Sequence, residues 1–257
     1  MKFLVIPFFL LAFLALGCDD DKEEPVTADF TVTVVGEAPD ATLQIENLSI
    51  NASDYSWSFG EGASTAVSTD ETPTGITVDK AGELSITLTC TNGSKTQEVT
   101  KTVTVEGYSA ILEYTDIEFS SKEEPPADAP RYFSFDTGES YSDDDVDSID
   151  TSILHLMLSS LGTIWFFESP SYYFDDAGMT KFVNYSDPVV ITTTQFDEMT
   201  DDRLISDLEI NNTDESFPGS IIPHVILFEI SSGRKGVIKT TAVNAERLLV
   251  DIKIQKY

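Results

Sequence analysis

The chain has 257 residues, 45 Asp and Glu against 15 Lys and Arg, a formal net charge of −30, two Cys and two His. This length makes one large or two modest domains, and a hydrophobic content of 41% excludes a disordered acidic tail. The acid excess argues against nucleic acid as a partner, and two Cys with two His leave little room for a structural zinc cluster, a disulfide scaffold or a thiol protease.

Lys2 precedes an apolar stretch over residues 3–16 that contains Pro7, closes on Ala15-Leu16-Gly17-Cys18, and gives way to Asp19-Asp20-Asp21-Lys22-Glu23-Glu24. The stretch is too short to span about 30 Å of hydrocarbon, so residues 1–17 read as a signal peptide. Small residues ahead of Cys18 resemble a bacterial lipobox, with Ala15 in place of the usual Leu. That resemblance implies that Cys18 carries lipid and anchors the protein in the outer membrane, because several acyl chains hold far better than one. The acidic block, residues 18–25, reads as a solvated tether and resembles the export signal of surface-exposed lipoproteins of the Bacteroidetes. Cys90 is then left without a disulfide partner. It lies in Leu84-Ser85-Ile86-Thr87-Leu88-Thr89-Cys90, where apolar and polar residues alternate, and is expected to be buried on a strand.

Residues 26–106 carry further period-2 runs at 30–34, 41–45, 55–59 and 99–105, bounded by Gly36, Pro39-Asp40, Asn51, Gly60-Glu61-Gly62 and Asn92-Gly93. Several short strands in about 80 residues imply an immunoglobulin-like β-sandwich. Tyr55-Ser56-Trp57-Ser58-Phe59-Gly60-Glu61-Gly62, Pro73 and residues 82–93 resemble the PKD (polycystic kidney disease) domain. Ser58 and Glu61 stand where that family has two Asp. The resemblance implies a spacer or interaction module. Trp57 is expected to fill the space between the sheets, with Gly60 and Gly62 supplying backbone angles closed to other residues.

Residues 107–257 predict a second, mostly antiparallel β-sandwich-like domain with one short helix, making the whole chain mainly β. Strands are expected at 110–119, 132–135, 153–158, 163–167, 188–193, 221–230, 236–241 and 248–254. The run 221–230 is apolar on both faces, which suits a central strand, and Ser231-Ser232-Gly233 turns it into a hairpin. Phe196, Met199, Leu204, Ile205 and Leu208 fall at helical spacing, predicting a helix over 194–208 capped by Thr193 or Thr194. This half resembles uncharacterised carboxyl-terminal regions of Bacteroidetes surface lipoproteins, through Ser169-Pro170-Ser171, Thr180-Lys181-Phe182 and the run from Gly233 to Lys239. Tyr132-Phe133-Ser134-Phe135 with Thr137-Gly138 is similar to HmuY-like haem-binding lipoproteins.

The candidate chemistry lies in this second half. Asp143-Asp144-Asp145-Val146-Asp147 offers oxygen ligands, yet Ser148 and Leu154 stand where a calcium loop needs Gly and a bidentate carboxylate, so a solvated loop is expected and no metal. His155 and His224, both in apolar strand-like surroundings, would form a bis-imidazole haem site if the fold brought them together. Aromatic rings with polar handles stack on sugars, and Trp165, Tyr172 and Tyr173 are the candidate glycan-binding residues. Of Trp165-Phe166-Phe167, at least one ring must point away from a core served by the others. No Gly-x-Ser-x-Gly elbow, phosphate-binding Gly loop or His-Glu-x-x-His motif occurs. The expectation is therefore a non-enzymatic surface protein with no cofactor that binds carbohydrate. Haem capture and an enzyme acting on extracellular polymers are the alternatives. The last 24 residues hold six basic against two acidic side chains, a local +4 that leaves −34 on the rest and marks a basic hairpin as a contact for acidic groups.

Overall fold

In the computed structural model, which describes residues 24–213 and 215–257, strands in four antiparallel sheets form two sandwiches. The signal segment, Cys18 and the acidic run as far as Glu23 lie outside the described residues. The first sandwich contains β1 (Phe30–Val35), β2 (Ala41–Asn47), β3 (Asp54–Phe59), β4 (Val67–Ser68), β5 (Thr77–Val78), β6 (Gly82–Asn92) and β7 (Lys95–Val105). Its sheets run β1-β2-β5 and β4-β3-β6-β7. On β6 the alternate residues Leu84, Ile86, Leu88 and Cys90 are buried, as the pattern requires. Trp57 lies fully buried between the sheets, edge-on to Phe30 at 5.1 Å, and its indole N–H donates to the Asp70 carbonyl at 2.9 Å. The two glycines of the neighbouring turn differ in purpose. Gly62 has φ +97°, open to it and rarely to other residues, whereas Gly60 is needed for space, since a Cβ there would sit 3.0 Å from Leu84 Cδ1.

The second sandwich contains β8 (Ile111–Ser120), β9 (Pro130–Ser134), β10 (Glu139–Ser142), β11 (Leu156–Leu161), β12 (Ile164–Glu168), β13 (Lys181–Val183), β14 (Phe217–Pro218), β15 (Val225–Glu229), β16 (Lys235–Val243) and β17 (Arg247–Gln255), with one helix, α1 (Thr193–Glu198). Sheets β10-β9-β11-β12-β14 and β13-β15-β16-β17-β8 face each other across a core of phenylalanines. Phe135 stacks on Phe228 at 5.3 Å, and Phe119 meets Phe167 edge-on at 5.3 Å. The outward side of β15 packs Val225 and Leu227 against Phe196 and Met199 beneath α1, which is why this strand is apolar on both faces.

Several expected boundaries move. The run 188–193 forms no strand, because Thr192 is committed to a capping box: its hydroxyl accepts from Gln195 N–H and Gln195 takes the Thr192 amide. Thr192, not Thr193 or Thr194, is thus the cap. The helix stops at Glu198 instead of running to 208. Lys253 donates to the Met199 carbonyl at 2.9 Å, and Asp201 caps a separate 3-10 turn over Asp202–Leu204. Ile153 belongs to a 3-10 turn capped by Asp150, and the central strand begins at Val225, two residues after Pro223.

The sandwiches meet at a bonded junction. Ala38 N–H donates to Glu106, Tyr108 N–H to Ala38, Ala110 N–H to Asp79 and Lys256 N–H to Ala110. Gly107, at φ +109°, allows the close pass: a Cβ there would fall 2.5 Å from the Ala38 carbonyl oxygen. The Asp79 carboxylate accepts from Lys256 Nζ at 2.6 Å and from the Tyr257 hydroxyl at 2.5 Å, while Lys80 lies over the Tyr257 ring at 5.0 Å. At the other end of the first sandwich, Ala28 N–H bonds to the Gln97 side chain. Gln97 and Val105 are eight residues apart on β7, so the entering chain and the junction are separated by about 25 Å.

Candidate functional site

β12 alternates strictly, Trp165 and Phe167 facing the core and Phe166 and Glu168 facing out. Immediately after it, Ser169 caps a 3-10 turn over Pro170–Tyr172 by accepting from Ser171 N–H, and Thr180 N–H also binds the Ser169 hydroxyl at 2.9 Å. Pro170 and Ser169 are buried, so the turn is held from beneath and presents its next two rings to solvent. Tyr172 is 55% exposed and Tyr173 58%. Large rings this open next to a pinned turn present a stacking platform, because little conformational freedom remains to be lost on binding.

Beside the platform lies a groove of about 250 Å³ between Tyr172, Phe166, Glu168, Asn212 and Thr213. Asn212 is clipped in place by accepting from Phe182 N–H at 2.8 Å, and its amide donates to the Tyr172 hydroxyl at 3.4 Å. The Glu168 carboxylate accepts from Ser159 Oγ and, at 3.3 Å, from the Tyr173 hydroxyl. Burial, reinforced by the Glu168 charge, pushes the Tyr173 phenol above its ordinary value, so it remains a donor at neutral pH. The groove thus combines ring faces, a carboxylate acceptor and an amide donor, and its size suits a sugar unit better than the about 300–1,000 Å³ of drug-sized pockets.

Trp165 does not join this platform. It is 5% exposed, packs in the core near Phe217, and donates its indole N–H to the Ser121 carbonyl at 3.0 Å. Only an edge of its ring reaches a different groove of about 410 Å³ among Ser121, Lys122, Thr163, Val243 and Asn244. The ring turned outward is Phe166, as Glu168 at the same parity indicates.

The structure gives the two histidines no contacting residue in common. His155 Nδ1 accepts from Phe135 N–H at 3.2 Å and its ring lies against Phe135. His224 Nε2 bonds to the Asn184 carbonyl at 2.6 Å, between Tyr185 and Phe217. Burial lowers both imidazoles below their ordinary value, and both are used as hydrogen-bonded parts of the packing. Nor do the acids of 139–150 converge. Asp143 binds Arg131 and the Tyr132 hydroxyl, Asp145 accepts from Ser142, and Asp150 caps its own turn. Among the described residues no group of three or more His, Cys, Asp or Glu is arranged to hold a metal ion.

No family model matches this chain, and no curated protein matches it. Among solved structures, the crystal structure of a DUF4466 family protein from Parabacteroides merdae ATCC 43184 is similar to it with a TM-score of 0.43 and 11% identity, covering 91% of this chain and 99% of that one.

The sequence pointed to Tyr172 and Tyr173 through the Ser-Pro-Ser break that precedes them. Phe166 and Glu168 were within reach of the same alternation, since Trp165 and Phe167 share one parity and Glu168 needs the other. Asn212 carried no local signal: it lies 40 residues from Tyr172 and reaches it only through its bond to β13.

Proposed function

We propose that this protein is a non-enzymatic carbohydrate-binding protein, held at the outer-membrane surface by lipid on Cys18, with a PKD-like sandwich as a spacer. The observation that carries the reading is the pair of exposed rings, Tyr172 lining a small groove with Glu168 and Asn212 on its wall and Tyr173 beside it, bonded to the same Glu168. A sugar has apolar faces that stack on such rings and hydroxyls that need both donors and acceptors, and the groove supplies each. The spacer role is supported by the first sandwich itself, whose entering chain and junction lie at opposite ends. Anchoring is supported by the charged, apolar and small-residue order of residues 2–18.

A glycan array probed with the full soluble chain tests the binding. Retained oligosaccharides are expected, with Tyr172→Ala and Tyr173→Ala each losing roughly five- to tenfold in affinity, as expected when about 1–1.5 kcal/mol of ring stacking is removed. An array without binders, or binders indifferent to both substitutions, overturns the proposal. For the anchor, metabolic labelling with palmitate is expected to mark the protein and to be absent from Cys18→Ala; label that persists in the variant contradicts lipid on Cys18.

A further inference from the structure

On the basis of that glycan-binding reading, we propose that the Tyr172 groove selects amino sugars with a free ammonium group and rejects acidic sugars. Both hydrogen bonds to the Glu168 side chain, from Ser159 and Tyr173, fall on Oε2. Oε1 is therefore left for a donor on the ligand, on a side chain that lines the groove. A carboxylate anchored by two hydroxyls is already oriented, so a donor arriving at Oε1 meets an acceptor that needs no rearrangement. An ammonium donor makes the stronger, charge-assisted bond there, and its positive charge is also attracted by the tyrosine faces.

The cations near the site are already used. Arg131, close enough to influence the Tyr173 hydroxyl, is paired with Asp143 at 3.2 Å, and Lys181 at the start of β13 is paired with Glu229 at 2.7 Å. Among the described residues no cation lines the groove. Most of the apparent reserve of positive charge at the end of the chain is spent in the same way. Lys239 pairs with Asp197 and Asp251, Arg247 with Glu118, Lys253 with Glu113 and Lys256 with Asp79. Arg234 Nε donates to the Gln255 carbonyl, its buried Nη2 having no partner among the described residues, and Lys235 donates to the Ser206 carbonyl. A uronate or sulfated sugar would thus bring its charge to Glu168 within an acidic surface and find nothing to neutralise it.

The test is calorimetric titration of the full soluble chain with three matched disaccharides: glucosamine disaccharide, its N-acetylated form and a uronic-acid disaccharide. The expected result is that the free amine binds on the order of tenfold tighter than the N-acetyl form at low salt, that this preference shrinks at high salt, and that the uronate does not bind. In Glu168→Gln, which preserves the side-chain shape, the ratio of amine to N-acetyl affinity is expected to fall towards one. Attraction to the acidic surface in general would leave that ratio unchanged in the variant, and this result overturns the proposal. Equal affinities in the wild type, or tighter binding of the uronate, also overturn it while leaving the glycan site standing. Failure of all three sugars to bind, together with an empty array, removes the underlying reading as well.

Discussion

Trp165, Phe166 and Phe167 are chemically alike and adjacent, yet their surroundings give them different work. Trp165 and Phe167 complete the core, while the ring of Phe166 is turned outward at the groove beside the exposed tyrosines. The histidines show the same dependence on surroundings, and their burial carries a pH consequence. Both folded imidazoles titrate below the ordinary 6.5. Below that value the unfolded chain therefore binds protons that the folded chain refuses, and stability falls as pH drops through 6.5 towards the folded values, levelling off beneath them. The carboxyls with a resolved shift, Asp29, Asp79, Asp145, Asp150 and Asp201, are all lowered, so they do not titrate in this window. Urea denaturation is expected to give constant stability from pH 8 to 7 and a decline towards pH 5 of at most about 1.4 kcal/mol per pH unit for each imidazole. The double variant His155→Gln, His224→Gln is expected to flatten the decline; an unchanged slope would show that other groups carry it.

The segment around α1 illustrates how an element is bounded by its neighbours. Helical spacing from Phe196 to Leu208 is present in the sequence and the apolar residues do share one cluster, with Phe196, Met199 and Ile205 buried together. They reach it, however, from a short helix followed by a separate 3-10 turn. Buried Lys253, from the opposite end of the chain, takes the Met199 carbonyl, and Asp201 turns the backbone towards Ala110. Spacing reported which residues are buried and was silent on the break, because the groups that end the helix lie more than 50 residues away or on the linker. On β15 the two-sided apolar pattern had the opposite fortune: each face has a distinct cover, the phenylalanine core on one side and the α1 cluster on the other.

For the molecule as a whole, the junction decides whether the two sandwiches act as one body. Asp79 is held by Lys256 and Tyr257, and although burial works against its ionisation, these hydrogen bonds keep the carboxyl below its ordinary value. A group lowered in this way stabilises the folded form at pH values above its unfolded pKa, and that contribution is lost as pH falls through the folded one. Asp79→Ala is expected to uncouple the sandwiches near neutral pH. Scanning calorimetry then resolves two transitions where the wild type gives one, and small-angle scattering shows a wider range of inter-domain arrangements. An unchanged single transition and scattering profile would show that the backbone bonds from Ala38, Tyr108 and Ala110 suffice by themselves.

The sequence alone determined the β character of both halves, the burial of Trp57 and Cys90, and the placing of Tyr172 and Tyr173 next to a turn. Alternation, Gly and Pro signals act over a few residues, and a strand's inner and outer faces follow from that local period. Tertiary structure alone decided that Asn212 closes the groove and that His155 and His224 serve different parts of the packing. It also decided that four of the six cations at the basic end of the chain, Lys239, Arg247, Lys253 and Lys256, pair with carboxylates inside the protein, because a charge count records how many cations exist and only strand register and docking determine which partners they meet.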